Sequence, residues 1–327
     1  MSKIKNWLKE NCITIFILIL IYFIFNYELP FYILAPGGTI DISDRVNVDT
    51  RNKVNGNLYL MYATEIKATI PTYLITKFSN KWDLFDNGER QISNESREEI
   101  ELRNKIMLNN SIDTAIYVAY THANKQIKIT GETHYILGIT EESTCDFKIG
   151  DKILKANGST IEHSKEINDI VSSSNYNDTI NFVINRDGTN KDASCKVGKD
   201  GKIGVVVVTD YDYDLDPAIT LKFKQSESGS SGGMMLTLSI YENITSEDLI
   251  KGKSIAGTGT IEKDGTIGEI GGVKYKIIGA SKKNIDIIFV PEENYEEAIQ
   301  VKNEYNYNMK IIKVHTFDEV INYLKNN

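Results

Sequence analysis

The sequence is short of the residues that make metal and nucleotide sites. Only 4 histidines and 3 cysteines occur in 327 residues, and neither a CxxC nor an HExxH pair is present. Zinc sites draw on such pairs, so no metal centre is expected. No GxxxxGKS or GxxxxGKT loop occurs, which leaves no P-loop to cradle a nucleotide. Neither ATP nor any other cofactor is therefore expected. Basic charge is also in deficit: 37 Lys and Arg stand against 45 Asp and Glu, a formal net charge of −8. A phosphate-backbone binder needs a basic face, so this balance argues against nucleic acid as a partner. Of the cysteines, Cys12 lies in an apolar N-terminal run, while Cys145 and Cys195 fall within one later segment. That pair either joins, if the segment faces outward, or supplies two small buried side chains, which is the simpler reading.

What is present is ordinary globular material, 41% hydrophobic and 25% charged, in a chain long enough for two modest domains plus an anchor. Lys3, Lys5 and Lys9 precede CITIFILILIYFIF, residues 12–25, which carry no charge. A spanning helix wants about 20 residues, and a shorter run can also be a signal-peptide core or a buried helix. Trp7, Tyr22 and Tyr27 at interfacial positions, a snorkelling Lys9 and the lack of an A-x-A cleavage site favour an uncleaved anchor. With lysines ahead of the run and none close behind, the bulk of the chain is expected outside the cytoplasm. A cytoplasmic protein is the alternative.

After the anchor, NGNLYLMYAT (55–64) and the run to Lys77 read as strands. Residues 91–119 read as a helix, because Met107, Ser111, Ile112, Ala115, Ile116 and Ala119 recur at three- and four-residue steps. Then comes FKIGDKILKANGSTIEHSKEINDIVSSSNYNDTINFVINRDG, residues 147–188. Asn157-Gly158 suits a hairpin turn, Ser164 a helix cap, and Ile180, Phe182 and Ile184 alternate as in a strand. This order, with KIGDKILKANG in particular, resembles a PDZ domain over about residues 125–198. Such domains capture an extended peptide along a strand edge beside a helix. Their carboxylate-binding loop corresponds to the stretch near GETHYILGI (131–139), which lacks the usual Gly-rich apolar turn. Strand addition of an internal peptide segment is therefore the expected mode, and a spacer or lid the plainer one.

SESGSSGGMMLTLSI, residues 226–240, is Gly/Ser-rich like a flexible linker, yet runs directly into an unbroken apolar segment. VVVV (205–208) and ITLKFK (219–224) before it read as strands. After it, the strands IDIIFV (285–290) and MKIIKV (309–314) alternate with helices from Glu292 and Phe317, an α/β layer pattern. The acidic run DYDYDLD (210–216) lacks the glycine and distal glutamate of a calcium loop and reads as a solvated loop.

GSSGGMM, IAGTGTI, DGTIGEIGGVKYK and FVPEEN, in that order, resemble the proteolytic domain of the Lon serine peptidases. With the apolar N-terminus and the PDZ-like segment, the chain is similar to membrane-anchored, PDZ-containing Lon-like proteases. The resemblance implies a mixed α/β (α+β) protein in four parts. These are an N-terminal membrane anchor (1–36), strands and a helix packing on the later domains (37–124), a mostly β PDZ-like domain (125–200) and a Lon-type proteolytic domain (201–327). The last would have a fold like ribosomal protein domains with a left-handed crossover. The resemblance also implies a Ser–Lys dyad, a peptide or protein as substrate, and ring-like homo-oligomers as an open possibility. The family motif G-P-S-A-G reads here Gly229-Ser230-Ser231-Gly232-Gly233, which makes Ser231 the nucleophile, with Ser230 beside it as the minor alternative. The lysine of G-G-x-x-x-K is Lys276, and Lys274 should point elsewhere. Thr258 of GTG takes the place of a threonine that hydrogen-bonds near that lysine.

The residue chemistry agrees. A serine needs a base, and His122, His134 and His163 lie in other segments while His315 is far along the chain. A lysine serves if burial brings its pKa towards roughly 7–8, and Lys276 precedes the apolar Ile277, Ile278, Gly279 and Ala280. Backbone N–H groups at the helix start after Ser231 would form the oxyanion hole. A tethered peptide-binding scaffold without catalysis is the rival reading, suggested by the lost proline and alanine of the motif.

Overall fold

Two β-sheets organise the chain, which a computed structural model describes over residues 7, 9–48, 55–86, 96–222, 229–245 and 247–327. Lys3 and Lys5, the start of the expected helix at 91–95, Phe223 and Lys224, and Ser226 to Ser228 lie outside the described residues. The apolar N-terminal run forms helix α1 (Cys12–Asn26), 15 residues with none buried. Among the described residues no helix is long and apolar enough to cross a membrane. The expected spanning anchor is thus not found as such: 15 residues make about 22 Å of helix, against a hydrocarbon core of about 30 Å.

Strands β1 (Glu28–Asp41), β2 (Val46–Val48) and β3 (Asn57–Thr69) follow. The strand expected to reach Lys77 ends at Thr69, because the chain turns into helix α2 (Ile70–Phe78). Thr69 and Thr72 cap that helix reciprocally, and Pro71 sits in its first turn, where a missing N–H costs nothing. Strand β4 (Asp83–Asp86) then pairs with β1. Helix α3 (Arg97–His122) starts at a capping box: the Ser96 hydroxyl accepts from the Glu99 N–H, and the Glu99 carboxylate from the Ser96 N–H. It buries Ser111, Ala115, Ile116 and Ala119, the stripe legible in the sequence.

The smaller layer is the PDZ-like segment. Strands β5 (Gln126–Ile139), β6 (Lys152–Ala156), β7 (Ser159–Thr160), β8 (Thr179–Arg186), β9 (Thr189–Lys196) and β10 (Val205–Asp216) form a sheet in the order β10-β5-β6-β8-β9, with β7 on β6. Helix α4 (Ser164–Ser173) has its cap at His163, one residue earlier than expected, because the Glu166 carboxylate accepts from the His163 N–H. Cys145 and Cys195 are joined by a disulfide, which corrects the reading of two separate buried thiols. Neither periodicity nor spacing could tell that the two segments meet. DYDYDLD is also not a loop but the second half of β10, paired with β5 from Gln126 to Thr133. There burial lifts the Asp210 carboxyl to about 7 and that of Asp113, on α3 beside it, to about 6. Among the described residues no cluster of His, Cys, Asp or Glu is placed to hold a metal ion.

The larger sheet runs β14-β13-β12-β3-β1-β4. After β11 (Ile219–Leu221), which pairs with β2, come helix α5 (Gly233–Ile244), β12 (Ser254–Gly257), helix α6 (Val273–Ala280) and β13 (Ile287–Pro291). A short 3₁₀ turn (Glu292–Asn294), helix α7 (Tyr295–Glu304), β14 (Lys310–Val314) and helix α8 (Phe317–Asn326) complete the chain. The apolar run after the serines is therefore the central helix: all of α5 except Asn243 is buried, among Leu58, Ala115, Ile255, Phe289 and Phe317. A helix with apolar residues on every side is buried in a core or in a membrane.

Two expected boundaries shift. The one at residue 36 falls within β1, and the one at 201 cuts β10 from the sheet it completes. An apolar run does not announce which sheet it will join. The first 86 residues thus supply half of the sheet that carries the C-terminal elements. Helix α6 sits directly on that half: a Cβ at Gly279 would lie 2.8 Å from the Gly38 nitrogen and 2.9 Å from the Gly37 carbonyl carbon. Gly279→Ala is accordingly expected to destabilise the fold by roughly 1–3 kcal/mol in chemical denaturation, since backbone cannot step aside as a side chain does.

Candidate active site

Ser231 lies one residue before the N-cap of α5, on the tight turn Gly229–Gly232. Gly229 has φ +86°, a conformation glycine adopts without strain. The turn is tied down on both flanks. The Ser230 carbonyl accepts from the Ser111 hydroxyl of α3 at 3.2 Å and from the Gly233 N–H at 3.1 Å. The Ser231 carbonyl accepts from the Gly259 N–H at 2.8 Å, and the Met234 N–H donates back to the Gly259 carbonyl at 3.1 Å. Gly233 must be glycine, because a Cβ would stand 2.7 Å from Ile261 and 2.8 Å from the Ser111 hydroxyl. Glycines here therefore serve close packing as much as turning.

Thr258, fully buried at the end of β12, connects this turn to the lysine. Its hydroxyl donates to the Ser231 carbonyl at 3.0 Å and accepts from Lys276 Nζ, also at 3.0 Å. Lys276 is on the first turn of α6, whose N-cap Gly272 takes the left-handed conformation at φ 69°. Only 5% of Lys276 is exposed, and its helix neighbours Tyr275, Ile277 and Ile278 are buried too. Burial without a carboxylate partner penalises the ammonium and lowers its pKa from 10.5 to about 8. Lys274 points the other way, to Asp83 of β4 at 2.6 Å, where the Tyr275 hydroxyl also bonds.

Ser231, Thr258 and Lys276 are thus brought together, with Gly229, Ser230 and Gly232 forming the turn. Ser230 faces a different environment, a cavity of about 200 Å³ walled by Met107 and Asn110 of α3, Leu137 of β5, Val208 of β10 and residues 260–262. Neither Thr258 nor Lys276 lines it. The histidines stay apart: His134 bonds Thr209 on β10, His163 bonds Glu132, and His122 bonds the Val118 carbonyl.

In the PDZ-like segment, the stretch 131–139 is not a binding loop. It is the C-terminal part of β5, with β10 on one side and β6 on the other. Strands β10 and β9 are the two edges of this sheet, and β10 is the one that sequence reading assigned to the later domain. Helix α3 covers that edge at two points: Asn110 donates to the Thr209 carbonyl at 2.9 Å, and Asp113 accepts from the Tyr211 N–H at 2.8 Å. Before them lie Val205 and Val207, which pack on the core of this segment, as Ile170 and Val171 of α4 also do, and a cavity of about 580 Å³ lined by Gly198, Lys199, Lys202 and Gly204. The signal was the glycine-punctuated turn at 198–204 leading into VVVV.

Two segments of the chain match known families. Residues 225–326 match the Lon protease (S16) C-terminal proteolytic domain, and residues 139–197 match the PDZ domain. The chain thus carries a Lon-type proteolytic domain, that of a serine peptidase, together with a PDZ domain. The Lon protease of Fusobacterium nucleatum is 32% identical over 114 residues, which is 34% of this chain and 15% of that protein. The Lon protease of Campylobacter jejuni is 36% identical over 98 residues, 30% of this chain and 12% of that protein. The chain therefore spans only about an eighth of the length of such relatives. A PDZ domain of an SdrC-like protein from Listeria monocytogenes shares 23% identity over 25% of this chain and 93% of its own, with a TM-score of 0.22.

Replacing Lys276 by the similarly shaped methionine tests the burial. The unfolded chain binds a proton at this side chain up to pH 10.5, the native one only up to about 8. The lysine therefore costs stability below pH 8, and that cost fades as pH rises from 8 to 10.5. Lys276→Met is expected to unfold about 1–3 kcal/mol harder than wild type at pH 7, with the gap closing at pH 10.

Proposed function

We propose that the protein is a membrane-tethered serine endopeptidase that cleaves secreted or surface-exposed peptides without ATP, using Ser231 as nucleophile and Lys276 as general base. The observation that carries this reading is the bridge from Lys276 Nζ through the Thr258 hydroxyl to the Ser231 carbonyl. It lies inside the segment that matches a Lon proteolytic domain. A serine hydroxyl attacks only when a base takes its proton. An amine with a pKa near 8 is neutral in about a tenth of molecules at pH 7 and accepts that proton readily.

In the proposed cycle, neutral Lys276 takes the proton of Ser231 Oγ as the oxygen bonds to a peptide carbonyl carbon. The N–H groups of Ser231 and Gly232, which have no acceptor among the described residues, face the developing oxyanion. Those of Gly233 and Met234 are already spent on the Ser230 and Gly259 carbonyls. The Lys276 ammonium then gives its proton to the leaving amine, the C–N bond breaks, and an acyl-Ser231 ester remains. Water, deprotonated by the same lysine, hydrolyses that ester.

The open part of the β10 edge, Val205–Val208, adds a peptide as an extra strand and so presents substrate to the dyad. Val208 also walls the cavity beside Ser230, which links the two sites. The Cys145–Cys195 disulfide suits an oxidising compartment outside the cytoplasm, and the exposed apolar α1 supplies the tether. Within these 327 residues no GxxxxGKS or GxxxxGKT loop supplies motor power, so small peptides and flexible segments are the substrates.

On a peptide library, Ser231→Ala and Lys276→Ala are each expected to lose at least about a thousandfold in kcat/KM, and Ser230→Ala less than about tenfold. Cleavage retained by both dyad variants would refute the proposal. Wild-type kcat/KM should climb about tenfold per pH unit and level off above about 8, as Lys276 becomes neutral.

A further inference from the structure

An apolar surface stands uncovered at one end of the larger sheet. In α2, Ile70, Leu74, Ile75 and Phe78 are exposed, Leu74 by 50% and Phe78 by 88%. Their spacing gathers them on one side of the helix. Soluble surfaces scatter such side chains singly, and four within nine residues mark a contact site. Helix α1 is exposed in the same way, with Ile13, Phe16, Leu18, Phe23 and Phe25 all open. Strand register makes the two helices neighbours. Helix α1 leads into β1 at Glu28, α2 leaves β3 at Thr69, and Glu28 pairs with Thr69. The helices touch, so whatever surrounds α1 also meets α2.

We propose that α2 lies flat in the headgroup region of a lipid bilayer, as a second membrane contact beside α1; this rests on the membrane attachment proposed above. Lipid is the occupant because α1 is apolar around its whole circumference. A second protein helix covers one stripe, whereas acyl chains cover every side. The length of α1 points the same way: about 22 Å of helix does not fill a core of about 30 Å, so the membrane is met by more than this helix. The rest of α2 suits an interface. Lys77 stacks over the Tyr73 ring at 5.1 Å, and the Thr72 and Thr76 hydroxyls donate to the Thr69 and Tyr73 carbonyls. In this arrangement the sheet bearing Thr258 and α6 is pinned close to the membrane surface.

The test uses the full chain with vesicles of phosphatidylcholine and phosphatidylglycerol whose acyl chains are brominated near the glycerol. Trp7→Phe and Trp82→Phe remove both tryptophans, and either Phe78→Trp or Tyr22→Trp supplies a single reporter. Quenching of both reporters, each by about twofold or more, is expected. Quenching at position 22 but not at 78 would overturn the α2 proposal and leave the α1 tether standing. No quenching at either position would overturn both. Emission at 78 that follows protein concentration instead of lipid would mean a second copy covers the face, and would also overturn it. Independently, Leu74→Ser with Phe78→Ser is expected to weaken vesicle partitioning at least about tenfold. Unchanged partitioning would contradict the proposal.

Discussion

One threonine hydroxyl holds the candidate site together. Thr258 has a single hydrogen and gives it to the Ser231 carbonyl, so its lone pairs face the Lys276 amine. This fixes where the lysine can be while leaving it without a counter-charge. A carboxylate in the same place would hold Lys276 more firmly but keep it protonated, since an opposite charge favours the ammonium. A hydroxyl positions it at little electrostatic cost to the neutral form. The dry surroundings do the rest, bringing the amine into the range where it can both take and return a proton.

The surrounding fold serves that geometry from three directions. From below, the buried helix α5 sets the serine turn, and the Gly259 backbone clips onto it on both sides. From the side, α6 presents Lys276 because Gly279 lets the helix lie against the Gly37–Gly38 backbone of β1. From above, α3 ties the Ser230 carbonyl with Ser111 and the PDZ edge with Asn110 and Asp113. Among the described residues, helix α3 is thus bonded both to the β10 edge and to the serine turn.

Much of this was readable in the residues. GSSGG, GTG and GGVKYK placed Ser231, Thr258 and Lys276 from motif order, and the α3 stripe and the alternating strands were visible as periodicity. One departure is local: the strand expected to reach Lys77 gives way to helix α2 at a cap between Thr69 and Thr72. The others depend on partners distant in sequence. The role of β10 is set by pairing with β5, distant in sequence: Val205 lies opposite Ile139 and Asp216 opposite Gln126; no pattern within VVVVTDYDYDLD reveals it. The same holds for the Cys145–Cys195 bond and for the support of α6 by Gly37 and Gly38. The buried state of Lys276 was legible only through the motifs: local periodicity alone reads it as an ordinary surface lysine, whereas packed α6 turns it inward.

The account stands or falls on the protonation of that amine. Protein carrying carbon-13 at the lysine ε position, with Lys276→Arg to assign the signal, allows the amine to be titrated directly by NMR. The account expects a midpoint at about pH 8 for Lys276. A midpoint near 10.5, the value of an ordinary lysine, would contradict it.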